Sequence, residues 1–131
     1  MKARVLVIDG YQGFRETMEY CLSRTGLGVV SAASLERAVA LVREQGIDVV
    51  LLDATQSFAT GLAECRAMKS RPEFAHVAIA LLVVRVTPLR LEQAREAGAT
   101  TVLPKLFDWE ELMGWVERAA AERRTREGSG Q

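Results

Sequence analysis

Continuous apolar runs alternate with amphipathic segments five times along this chain, and that alternation leaves few folds open. Val5, Leu6, Val7 and Ile8 form the first run, closed by Asp9-Gly10. An unbroken β-branched run of this kind reads as a strand buried on both faces. Residues 14–24 follow, with Phe14, Met18, Cys21 and Leu22 at helical spacing. Gly26 and Gly28 stop that helix. Residues 29–32 make a weaker second strand, and Ser34 is the expected N-cap of a helix reaching about Glu44, with Ala38, Leu41 and Val42 inward. Gly46 ends it, and residues 47–52 form a third strand that stops at Asp53. A loop with Thr55, Gln56, Ser57 and Gly61 leads to a third helix over residues 62–69, which halts before Pro72. Residues 77–84 are the most apolar strand, and Thr87-Pro88 opens a helix as cap and first-turn proline, ending at Ala97-Gly98. Residues 100–103 are a short fifth strand. Asp108-Trp109-Glu110-Glu111 has the form of a capping box, opening a last helix expected to reach about Arg123.

Strands separated by helices of ten or so residues imply βαβ units. Continuously apolar strands imply a parallel sheet covered on both faces. Right-handed crossovers then make the sheet doubly wound. The expected fold is α/β, with five parallel strands and five helices. In such sheets the functional crevice lies beyond the carboxyl ends of the strands. Three places qualify: Asp9, Asp53, and residues 83–85 with Lys105 just after the fifth strand. A lone Asp after a strand is often a turn residue or cap. Two of them with a lysine at one sheet edge are the donor set for a divalent cation and a phosphoryl group.

The 131 residues suit one domain, expected over 1–124, with polar residues 125–131 as a C-terminal tail or linker. Lys plus Arg and Asp plus Glu each number 17, so the formal charge is zero. That balance argues against direct nucleic-acid binding and leaves little charge to oppose self-association. Cys21 and Cys65 are far apart and His76 has no partner of its kind, so no zinc pattern exists and two reduced, buried thiols are expected. No leader is visible at the N-terminus, and the longest apolar run is too short to span a bilayer. A cytoplasmic location without membrane contact is the expectation.

The ordered set of motifs resembles the response-regulator receiver family, over about Lys2 to Arg123. Residues 5–9 with Phe14-Arg15 resemble its first strand and acidic turn. Residues 49–53 with Gly61-Leu62 resemble its phosphoacceptor strand and loop. Glu96-Ala97-Gly98-Ala99 resembles the end of its fourth helix, and Leu103-Pro104-Lys105-Leu106-Phe107 its lysine turn. The resemblance implies a flavodoxin-like sheet of order 2-1-3-4-5. It makes Asp53 the phosphoacceptor position and Lys105 the phosphoryl-contacting lysine. Asp9, Asp53 and the backbone carbonyl of Thr55 become the Mg²⁺ ligands.

Four positions depart from the family pattern. Gly10 stands where a second acid ligates Mg²⁺, so metal binding is expected to be weak. Val83 replaces a Ser or Thr whose hydroxyl bonds the phosphoryl group, and Val102 replaces an aromatic switch. Leu106 follows Lys105 where proline is usual, and a non-proline bond there is expected to be trans. The partner face implied by the resemblance is made by the fourth helix, fifth strand and fifth helix. Here it would carry Leu91, Arg95, Val102, Trp115 and Arg118, with Trp115 either an interface anchor or a cover for the core edge.

Two readings of function follow from the resemblance. One is a bacterial signalling module that binds its partners, a signalling protein or a second copy, without needing phosphorylation and without enzymatic activity beyond weak self-phosphorylation. The other is a working Mg²⁺-dependent phosphoacceptor, phosphorylated on Asp53 by a histidine kinase. An unrelated nucleotide-binding enzyme would need a phosphate loop after the first strand, which Asp9-Gly10-Tyr11-Gln12-Gly13 matches poorly.

Overall fold

A computed structural model describes residues 3–129 of the chain, and side chains only as far as Arg123. The strands are β1 (Arg4–Ile8), β2 (Gly28–Ala32), β3 (Val49–Asp53), β4 (Ala78–Val83) and β5 (Thr101–Pro104). The helices are α1 (Gln12–Ser23), α2 (Leu35–Glu44), α3 (Phe58–Lys69), α4 (Pro88–Glu96) and α5 (Trp109–Ser129). All strand pairs are parallel, and the sheet order is β2-β1-β3-β4-β5. This is the expected doubly wound topology. Because every strand points the same way, all βα turns meet at one edge of the sheet.

Alternation along each strand divides the core. Leu6, Ile8, Val50, Leu52, Ile79 and Leu81 face one cluster, shared with Ala38 and Val39 of α2, Cys65 and Met68 of α3, and Ala94 of α4. Val5, Val7, Val49, Leu51, Ala80 and Leu82 face the other, shared with Met18 and Leu22 of α1 and with Leu112, Val116, Ala119 and Ala120 of α5. Each fully buried aliphatic side chain contributes about 1.5–3 kcal/mol relative to exposure. Two apolar faces per strand explain why the strand segments read as continuous apolar runs.

The helix starts are set by side-chain caps. Ser34 Oγ accepts from Arg37 N at 3.3 Å, and Thr87 Oγ1 accepts from Arg90 N at 3.1 Å. Asp108 Oδ1 accepts from Glu110 N at 2.9 Å and Glu111 N at 3.2 Å. Helix α3 begins four residues before its expected start at Leu62, because Ser57 Oγ accepts from Thr60 N at 3.1 Å. Gly61 is therefore a helical residue and not part of a loop. It is glycine because a Cβ there would lie 2.5 Å from the Cβ of Ala54, at the end of β3.

Helix α5 also departs from expectation. It continues to Ser129, past the predicted end near Arg123, so most of the segment expected as a tail is helical. Gly130, Gln131 and the side chains from 124 onward lie outside the described residues. Of the two cysteines, Cys65 is fully buried, whereas Cys21 is only half-buried on α1. Burial pushes the Cys65 thiol up to about 11, against the lowering effect of Lys69 and Arg66. Val84, expected to close the fourth strand, lies beyond it and is 76% exposed. No helix among the described residues is long and apolar enough to cross a membrane.

Candidate functional site

The carboxyl ends of β1, β3 and β5 bring Asp9, Asp53 and Lys105 together. Lys105 Nζ lies 2.8 Å from Asp9 Oδ2 and 3.3 Å from Asp53 Oδ1. The lysine is held from two further directions. Its own N–H donates to Val83 O at 2.8 Å, which ties the β5–α5 turn to the end of β4. Its ammonium also lies 4.5 Å from the centre of the Phe14 ring, a cation–π contact from α1. Burial disfavours the charged ammonium, yet its close pairing with Asp9 and the charges of Asp53 and Asp9 prevail and hold Lys105 above its usual range.

Each carboxylate is oriented by local backbone. Asp9 Oδ1 accepts from Tyr11 N at 2.8 Å, and Arg15 Nη1 donates to Asp9 O at 2.8 Å, locking the β1–α1 turn. Asp53 Oδ1 accepts from Thr55 N at 3.0 Å and Thr55 Oγ1 at 2.6 Å. These are Asx turns, the reason an Asp ends an apolar strand so readily. Asp9 is 3% exposed, and its Oδ2 meets Lys105 as an ion pair without a directed hydrogen bond.

A cleft opens between β1, β3 and α3, lined by Asp9, Gly10, Ser34, Asp53, Thr60 and Glu64 among others. Glu64 belongs to this site although the sequence reading did not select it. Its carboxyl is raised by burial and then by the charge of Asp53. The signal for it is its spacing: Glu64 is three residues after Gly61 and four before Met68, both buried, which places it on the inner side of α3.

Mg²⁺ takes near-octahedral oxygen ligands, commonly one or two carboxylates with several waters. Asp9, whose buried Oδ2 is paired with the Lys105 ammonium, and Asp53 beside it are the two carboxylates that would hold such an ion. Among the described residues no three His, Cys, Asp or Glu side chains gather closely enough to hold a metal. The position of the absent acid is open: a Cβ on Gly10 would meet nothing nearer than Ala33 O at 4.0 Å.

The other predicted positions are placed as follows. Val83 is wholly buried at the end of β4, in the same cluster as Val102, which is 4% exposed. The Lys105–Leu106 bond is trans, and Leu106 is 98% exposed. The expected partner face is not one apolar patch. Val102 and Leu91 pack into the cluster beneath α4, whereas Trp115 packs into the cluster on the opposite side of the sheet. Arg95 and Arg118 are exposed. Sheet alternation divides this set, since Val102 and Leu103 on β5 point to opposite faces.

With this geometry in view, residues 5–117 match the response regulator receiver domain family. The chain belongs to the response regulator receiver family. It is similar to "Response regulator MprA" of Mycobacterium sp. strain KMS, 32% identical over 113 residues, covering 86% of this chain and 48% of that protein. The protein of the same name from Mycolicibacterium vanbaalenii is 29% identical over 131 residues, all of this chain and 56% of that one. The receiver thus spans about half the length of these curated relatives. Among solved structures, the chemotaxis protein CheY4 of Vibrio cholerae superposes with a TM-score of 0.81 at 25% identity, covering 91% of this chain and 99% of that one. NtrX of Brucella abortus superposes at 0.83 with 22% identity, covering 99% and 29% respectively, and shows the shared fold. The protein is a response regulator receiver domain of two-component signalling.

Proposed function

We propose that this receiver acts mainly as a phosphorylation-independent interaction module in the bacterial cytoplasm. The observation that carries this reading is the packing at Val83 and Val102. In the family these positions relay the phosphoryl group, through a hydroxyl and a mobile aromatic ring. Here both are aliphatic and buried in one cluster. A valine offers no hydrogen bond to a phosphoryl oxygen, and a packed core resists repacking. The site therefore lacks the means to pass on its chemical state. Its partners are a signalling protein or a second copy, and no nucleic acid or membrane takes part directly.

A second reading is favoured by the convergence of Asp9, Lys105 and Asp53. Phosphoryl transfer needs positioning and charge neutralisation more than covalent assistance. A histidine kinase could then deliver its phosphoryl group, the P–N bond breaking as a bond forms to an Asp53 carboxylate oxygen. Mg²⁺ held by Asp9, Asp53 and the Thr55 carbonyl would offset phosphoryl charge, and the Lys105 ammonium would sit against it.

Incubation with Mg²⁺ and acetyl phosphate, read by intact mass, separates the two. The module reading expects no stoichiometric adduct, and expects beryllofluoride to leave NMR signals of the β4–α4 loop unmoved. A stoichiometric aspartyl phosphate at Asp53, with loop signals that shift, would establish the second reading instead.

A further inference from the structure

Six large hydrophobic residues are exposed among the described residues, and five of them lie at the carboxyl edge of the sheet. Tyr11, 72% exposed, is in the β1–α1 turn. Val84 and Val86, 76% and 44% exposed, are in the β4–α4 loop, and Leu89, 62% exposed, is in the first turn of α4. Leu106, 98% exposed, tops the β5–α5 turn. Single exposed apolar side chains are ordinary, but a gathering at one edge marks an interaction surface.

The charges around this edge are segregated. On the α1 and α5 side, Glu16, Asp108, Glu110 and Glu111 are exposed. The nearby Arg15 is half-buried and donates to Asp9 O. On the α4 side, residues 77–91 contain no acid, and Arg85 and Arg90 stand in the loop and first turn. Arg90 is fixed there: its Nη1 donates to Arg85 O at 3.1 Å, and its guanidinium lies 5.0 Å from the centre of the Phe58 ring. Leu106 lies between the two wings. Its neighbour Lys105 touches the Phe14 ring of α1 on one side and bonds Val83 O of β4 on the other.

An acidic wing, an apolar centre and a basic wing form a self-complementary order. A two-fold axis through the centre lays each basic wing on the partner's acidic wing and each Leu106 beside its counterpart, an isologous contact. We propose that the carboxyl edge of the sheet is a homodimer interface, with a second copy of this chain seated across Leu106. The zero net charge of the chain removes long-range repulsion between copies. The cleft holding Asp53 opens at the same edge, so the partner lies over the acceptor. This inference goes beyond the phosphorylation-independent reading and does not depend on it.

Sedimentation equilibrium of the whole chain, from micromolar to millimolar concentration, tests it. The expected result is a dimer that weakens with added salt. Leu106→Asp is expected to weaken association by about tenfold or more, with an unchanged melting curve because the side chain is solvent-exposed. Arg85→Glu alone is expected to weaken it too, and adding Glu110→Lys and Glu111→Lys to that variant is expected to restore it. A monomer at every concentration overturns the proposal. So does a dimer indifferent to Leu106→Asp, which would use another face, or a charge reversal that the paired substitutions fail to rescue. A monomer would leave the phosphorylation result at Asp53 unaffected, so the two experiments fail separately.

Discussion

Gly10 departs from the family pattern at the candidate site, and the difference is chemical and not steric. The nearest atom to a Cβ built there is Ala33 O at 4.0 Å, an ordinary contact. Gly10→Asp is therefore expected to fold normally and to tighten Mg²⁺ binding by about tenfold or more, as an added carboxylate ligand should; magnesium titration followed by NMR or calorimetry checks it. Val83 differs in the opposite way, since its side chain is fully buried. Val83→Thr places a hydroxyl among aliphatic neighbours and is expected to cost about 1–2 kcal/mol of stability in urea unfolding. It is also expected to let beryllofluoride shift the β4–α4 loop signals, which the module reading expects to stay unmoved in the natural chain. Asp9, Asp53 and Lys105 were legible in sequence because each closes or directly follows an apolar strand of a parallel sheet. Glu64 was not, because its facing depends on where α3 begins, and a start at Leu62 leaves no helical turn before it from which to judge a face.

That start is an element-scale fact with its own consequences. The strands were legible to within a residue or two, since burial on both faces leaves an unbroken apolar run. The first turn of α3, Phe58-Ala59-Thr60-Gly61, shows no apolar periodicity and contains a glycine, so it read as loop. Ser57 decides the matter through its cap, and Ser57→Ala is expected to cost about 1 kcal/mol. Gly61→Ala weighs two effects against each other. Alanine gains about 1 kcal/mol of helix propensity over glycine. The new Cβ would meet the Ala54 Cβ at 2.5 Å, where β3 turns toward α3, and such overpacking costs about 1–3 kcal/mol. Net destabilisation is expected, visible as a lowered urea midpoint. A shift of the Thr55 amide resonance would accompany it, because Ala54 connects Asp53 to that turn. The single apolar patch expected on the partner face is divided at this same scale: Val102 and Leu91 pack under α4, whereas Trp115 packs on the other side of the sheet.

Across the whole molecule, charge is balanced in number but not in depth. The carboxyl edge of the sheet gathers Asp9 and Asp53 around one ammonium, and Glu64 adds a third carboxyl to the same cleft. Fold topology was legible because it depends only on the order of apolar runs. The electrostatic state of this edge was not, because it depends on which helix face turns inward. The pH dependence of stability exposes the cost. Glu64 is raised in the folded chain, first by burial and then by Asp53, from an ordinary value of 4.5. Below that ordinary value the group is protonated in both folded and unfolded chains and contributes nothing. As pH rises from 4.5 through the folded value, the unfolded chain loses its proton first, so this group lowers stability across that window and holds the penalty above it. Glu64→Gln removes the penalty. The variant is expected to be more stable than the natural chain at neutral pH and equal to it in acid, with the two urea-midpoint curves converging as pH falls toward 4.5. An offset that persisted into acid would locate the effect in packing and not in charge. Lys105 sets the opposite limb: its raised value means the stability it lends is complete below 10.5 and lost as pH climbs through the folded value. The difference between Glu64→Gln and the natural chain should therefore be flat from neutral pH into the alkaline limb, because both chains carry the same lysine there.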